Sequence, residues 1–190
     1  MTTLPSLLLL VGSLFQQNIE NVDFTPSPKF YGKLQYAGNI GLVSVGAGTI
    51  LFKDRFSMDL SYGYLPKIVN GAEVNTLALK PTFYSRNKEL NRFKWSYYTG
   101  FAFTYSYTKN TYIKYPDHFP NSYYMSNAFH FNPYIGLKVS PNKKSRAGLF
   151  SLYTEVASVD YKIYYAFKSK RISPLEIWNV CFGITFPVSK

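Results

Sequence analysis

Cysteine is nearly absent from this sequence. Cys181 stands alone, so no intrachain disulfide staples the fold. Histidine is almost as scarce: His118 and His130 have no thiolate cluster near them, which removes the basis for a structural zinc site, and no metal or other cofactor is expected. Acidic residues are few, 10 against 21 Lys and Arg, and the net charge is +11. The bases are scattered over several turns and loops rather than massed on one segment. Nucleic acid is therefore not the expected partner, and anionic lipid headgroups suit the pattern better. Long apolar runs are missing as well. Beyond residue 20, charges interrupt every apolar stretch well short of the roughly 20 residues a membrane helix requires. If such a chain crosses a bilayer, it must do so as a closed barrel, which is the other way to satisfy the backbone there.

What the sequence has in abundance is aromatic residues, 18 Tyr and 16 Phe, which excludes a disordered chain and favours strands over helices. Its 190 residues suit one domain of ordinary size. Residues 1–16 read MTTLPSLLLLVGSLFQ. The apolar run Leu7 to Val11, followed by the small pair Gly12-Ser13, resembles a secretory signal peptide that lacks the usual Lys or Arg near Met1. The competing reading is a buried N-terminal segment of a soluble domain. Residues 17–29 form a polar, Pro-containing lead-in, and residues 30–190 are the expected barrel domain.

Period-two alternation runs through that domain. In the strand over 56–64, Phe56, Met58, Leu60, Tyr62 and Tyr64 share one face, and Ser57, Asp59, Ser61 and Gly63 the other. Over 95–108, Trp95, Tyr97, Thr99, Phe101, Phe103, Tyr105 and Tyr107 oppose Ser96, Tyr98, Gly100, Ala102, Thr104, Ser106 and Thr108. Similar alternation marks strands over 74–84, 128–139, 149–156 and 177–188. A soluble lipocalin-like barrel turns the apolar face in, and a membrane barrel turns it out. Volume chooses between them. An eight-stranded barrel has room inside for modest side chains, not for the six aromatics on one face of the strand over 95–108. Phe101 and Phe103 should therefore face lipid, with Gly100, Ala102 and Thr104 inside. Trp95 and Tyr97 at one end, and Tyr105 and Tyr107 at the other, fit two interfacial girdles around an apolar belt.

The connections alternate in length. Short charged turns over 53–55, 86–92 and 140–146 alternate with mostly longer ones over 65–73, 109–123 and 164–174. An even strand number is expected, so the region 31–52 is split at Gly38-Asn39, a two-residue hairpin turn, which makes eight strands. One long strand through Gly46 and Gly48 is the alternative. The fold class is thus all-β, an antiparallel up-and-down transmembrane β-barrel.

The last strand, Trp178-Asn-Val-Cys-Phe-Gly-Ile-Thr-Phe186, resembles the terminal strand of Gram-negative outer-membrane proteins. That family alternates apolar residues and closes on an aromatic. Here Pro187 to Lys190 follow it. The resemblance implies location in the bacterial outer membrane, contact with outer-membrane lipid, and recognition by the barrel-assembly machinery. It covers an architecture, and architecture does not carry function.

Candidates for chemistry are few. Asp59, Lys80, His130, Lys138 and Glu155 lie on the expected inner face. Asp59 and Lys80 should be cross-strand neighbours forming an interior charge pair, because buried charge has to be paired. A hairpin about 140–146 would set Glu155 beside Asn132, one step from His130, with Asn132 and Tyr134 completing a polar network. Ser126 shares the strand parity of His130. A Ser/His/Glu set at a barrel rim is similar to that of the lipid A deacylase family, which implies a lipid-modifying esterase using His130, Glu155 and Ser126. That family orders its pair His-x-Ser, whereas Ser126 precedes His130 by four residues. In the loop over 110–124, Tyr112, Tyr115 and Phe119 can stack on a sugar or peptide, and Asp117 and His118 can add polar contacts. The alternative is a compact cap over the barrel mouth. The leading expectation is a non-enzymatic outer-membrane barrel, structural or binding a surface ligand. The lipid-modifying esterase and a soluble lipocalin-like carrier are the rivals.

Overall fold

A computed structural model describes residues 29–52, 55–90, 93–109, 111, 128–141, 150–168, 173 and 176–188. The signal-like segment, nearly all of the lead-in and the aromatic loop with Tyr112, Tyr115, Asp117, His118 and Phe119 lie outside them, as does Ser126.

Among the described residues there are nine strands: β1 (Lys29–Tyr36), β2 (Val43–Leu51), β3 (Phe56–Leu65), β4 (Val74–Tyr84), β5 (Lys88–Leu90), β6 (Phe93–Tyr107), β7 (Phe129–Pro141), β8 (Ser151–Ser158) and β9 (Trp178–Pro187). Consecutive strands pair antiparallel except β4 and β5: β4 pairs with β6 past the short β5, which itself pairs only with β6, and β9 returns to β1. The result is a closed, eight-stranded, antiparallel up-and-down barrel with β5 as an appendix. Closure removes the unpaired edges that an open sheet would expose.

The strands arise where the alternation placed them, and the differences lie at their ends. The connection from β1 to β2 is not the two-residue Gly38-Asn39 turn. It spans residues 37–42, with Ala37 (φ 61°) and Gly38 (φ 93°) left-handed and the Ala37 N–H donating to the Leu42 carbonyl at 2.7 Å. The reversal thus takes six residues between Tyr36 and Val43, where a two-residue hairpin would take two. The short charged turn after β4 also holds structure. Tyr84 faces Tyr98 and Lys88 faces Trp95, so four steps on one side match three on the other, a bulge. Ser85 seals it: its N–H donates to the Tyr97 carbonyl at 2.8 Å, and its hydroxyl accepts the Tyr97 N–H at 3.0 Å.

Among the described residues two helices also depart from the all-strand expectation, α1 (Lys67–Asn70) and α2 (Asp160–Lys168). Gly71, at φ 70°, caps α1 by donating to the Lys67 carbonyl at 2.8 Å. The connection expected as loop over 164–174 thus begins as helix, opened by an aspartate in its first turn.

The barrel is polar inside and apolar outside. Phe103, Phe131, Leu60, Leu79, Ile135 and Phe182 are exposed on the outer surface, while Ser57, Thr76, Thr82, Thr104 and Asn132 are buried. Gly100 is half-buried, Ala102 and Thr104 are buried, and Phe103 is 52% exposed, the orientation expected from the alternation.

Candidate functional site

The interior is built from the polar parity of each strand. Lys80 on β4 sends its ammonium to both oxygens of Glu155 on β8, at 2.7 and 3.0 Å. Lys33 on β1 lies 3.2 Å from Asp59 Oδ2 on β3 and 3.6 Å from Glu155 Oε1. Tyr31 donates to the other oxygen of Asp59. The Tyr98 hydroxyl donates to Glu155 at 3.2 Å, and the Cys181 thiol reaches it at 3.5 Å. Lys80 (1% exposed), Asp59 (1%) and Glu155 (3%) are withdrawn from water, so these mutual contacts are what makes their burial tolerable. The low local dielectric strengthens each bond and makes each one costly to lose.

Tyrosines fill the space around the charges. Lys80 lies 4.3 Å from the centre of the Tyr134 ring, Lys33 4.7 Å from that of Tyr153, and Lys138 5.5 and 5.6 Å from those of Tyr31 and Tyr84. A narrow barrel accommodates such rings because glycine stands opposite them. Tyr98 faces Gly136, Tyr134 faces Gly100 and Tyr153 faces Gly183. A Cβ at Gly183 would run into the Tyr153 ring. The cavity left among Lys33, Asp59, Tyr98, Lys138, Tyr153 and Glu155 is about 10 Å³, room for one water and no substrate. A wider recess of about 250 Å³ lies at the far end, between the 37–42 turn and Leu65, Val74, Thr76 and Ser106.

Tyr134 has a further task. The β4–β6 register skips Lys80 and Pro81, since proline has no N–H for the ladder. The Tyr134 hydroxyl donates to the Pro81 carbonyl at 3.1 Å and accepts from Thr82 Oγ1 at 2.7 Å. Tyr134→Phe would leave both groups buried without that partner and is expected to lower stability by about 1–3 kcal/mol. Urea unfolding of the barrel in detergent measures this, and an unchanged midpoint would mean the seam at Pro81 needs no support.

Asp59 and Lys80 do stand opposite each other in the β3–β4 register. They are not each other's ion partners: Lys80 turns to Glu155, and Asp59 to Lys33 and Tyr31. The expected proximity of Glu155 to His130 is corrected as well. Glu155 faces Gly136, four residues along β7 from Asn132. β7 continues to Pro141 and β8 begins only at Ser151, so the connection is longer and displaced toward the C-terminus. A slip by an even number leaves every side chain on its expected face while changing its neighbours.

His130 instead meets Asp160. Its Nδ1 lies 3.1 Å from Asp160 Oδ1, and its ring stands 5.5 Å from that of Tyr161. Asp160 Oδ2 accepts the Phe131 backbone N–H at 3.1 Å. The last β7–β8 pair is Tyr134 with Ala157, so this carboxylate serves a strand edge that β8 has already left. Burial, aided by the adjacent Asp160, raises the Tyr161 phenol above its ordinary value. Asn132 donates to Thr104 at 3.0 Å, apart from the charge network.

Sequence reasoning missed Lys33 and Asp160. Lys33 carried a signal, because Tyr31, Lys33 and Gln35 alternate with Gly32, Leu34 and Tyr36. Asp160 carried none beyond an acid opening a run of helix-compatible residues.

No family model matches the chain, and no curated protein is similar to it. The class it belongs to is therefore defined by its architecture, the closed eight-stranded antiparallel barrel.

Proposed function

We propose that the chain is an integral β-barrel of the bacterial outer membrane, with a structural or surface ligand-binding role and no catalytic step. The observation that carries this is the inverted polarity. The most buried large side chains include Lys80 and Asp59, while Phe, Leu, Ile and Val cover the outside. A soluble carrier needs the opposite arrangement, because an apolar belt in water would aggregate.

The aromatic ends support the same reading. Tyr36, Tyr62, Tyr64, Tyr107 and Trp178 are exposed toward one end of the strands, and Tyr97 toward the other. Along β6, Trp95 and Tyr107 are twelve residues apart. That is about 40 Å of extended strand, or roughly 30 Å along the axis at a tilt of about 40°. Such a span matches the thickness of a hydrocarbon core. The packed ionic interior argues against a pore. The esterase reading loses its carboxylate, since Glu155 is held by Lys80 and Lys33. The barrel would reach its membrane through the assembly machinery, and its far-end loops would present the surface for any ligand.

Tryptophan quenching tests the proposal. In vesicles of brominated phospholipid, emission from Trp95 and Trp178 should be strongly quenched, and the protein should stay with the vesicles after a high-salt wash. A monomer that remains in plain buffer with unquenched emission would defeat the membrane reading.

A further inference from the structure

Helix α2 turns an aromatic face away from the barrel. Val159 just before it is buried, and Ile163 and Ala166 are half-buried on the side toward the strands. On the other side Tyr164 (48%), Tyr165 (38%) and Phe167 (68%) are exposed together with Lys168, and Tyr161 (37%) stands at the edge of that face, its ring against His130. Tyr161, Tyr164, Tyr165 and Lys168 follow the spacing of one helical face. The Lys168 ammonium lies 5.6 Å from the centre of the Tyr164 ring, and the Tyr164 and Tyr165 rings are 5.4 Å apart. So many exposed rings on a short helix suit neither a water-facing surface nor a packed one.

Its level along the barrel is defined by the register. Ser158 faces Trp178, an exposed rim aromatic, and α2 begins two residues beyond Ser158. That is about 7 Å further along an extended chain. The headgroup layer beyond the hydrocarbon core is of the same order, about 5–8 Å on each side. The charge is complementary too. The cations of α2 are the exposed Lys168 and the half-buried Lys162, and its acid, Asp160, is engaged by His130 and the backbone N–H groups of Phe131 and Tyr161.

We propose that α2 lies in the headgroup layer of the leaflet at the far end of the barrel and binds the phosphates of anionic lipids. Tyr161, Tyr164 and Tyr165 sit among the headgroups, as amphipathic rings do at an interface. The lysines pair with phosphate. The His130–Asp160 contact holds the helix start against β7, so the helix is oriented by the barrel rather than left to find the surface alone. The inference rests on the membrane reading above.

The test uses the full chain with Phe167→Cys carrying a nitroxide. Cys181 is 2% exposed and stays unlabelled, which the unsubstituted chain verifies. The barrel is reconstituted in phosphatidylcholine vesicles with and without phosphatidylglycerol, and the label's collisions with a water-soluble nickel chelate are compared with those with oxygen. Phosphatidylglycerol should lower nickel accessibility severalfold, and Lys162→Glu with Lys168→Glu should abolish that change. A label equally open to nickel in both vesicles, with Trp178 still quenched by brominated lipid, would overturn the inference and leave this face to a soluble partner. A label shielded equally in both would overturn the role of the lipid's net negative charge. Unquenched Trp178 would instead bring down the membrane reading itself, and this inference with it.

Discussion

Replacing Glu155 by leucine is expected to cost the barrel about 3–5 kcal/mol, because it strands the buried Lys80 and removes one of the two carboxylates beside Lys33. The loss should be partly reversed when Lys80→Met is added, since the second change removes the stranded charge. A coupling of about 1–3 kcal/mol between the two positions is expected from reversible unfolding of the four variants in detergent. The matching cycle on Asp59 and Lys80 should give a smaller coupling. Those two are register partners, yet Lys80 gives its hydrogen bonds to Glu155. Strictly additive losses for Glu155 and Lys80 would mean that the interior charges do not act as a network.

If the barrel spans a bilayer as proposed, Phe103→Arg should cost about 2–4 kcal/mol there, the range for a cation on the lipid face near the midplane. Phe103 is exposed near the middle of β6 and contacts Phe101 and Phe131, with ring centres 5.2 and 5.7 Å away. Phe103→Ala separates the two contributions, since it loses the same ring contacts without placing a charge in lipid. The arginine variant should be clearly the less stable of the two in vesicles. Equal stability there would put position 103 outside the hydrocarbon.

The faces of the strands were legible in the sequence because alternation is a local property. Phe56-Ser-Met-Asp-Leu declares its two sides without reference to any partner, and β3 shows them in that arrangement. Strand number was legible for the same reason, once the region around Gly38 was divided. The turn there was not, since both a two-residue hairpin and the observed 37–42 turn accept Gly-Asn, and only the β1–β2 register, with Tyr36 opposite Val43, separates them. Helix α2 was hidden because Tyr and Phe suit strands as readily as a short helix.

From its own pattern, then, the chain declared an inner and an outer surface and placed Asp59, Lys80 and Glu155 on the inner one. The pairing of those charges was decided only when the sheet closed. Lys80 and Glu155 are 75 residues apart and lie on strands that are not adjacent in the barrel. Their contact depends on registers that can slip by two residues without moving any side chain to the other face. It depends equally on a lumen narrow enough for a lysine to reach across. Local periodicity encodes neither quantity, so the ionic interior and the His130–Asp160 contact belong to the closed barrel and not to any one strand.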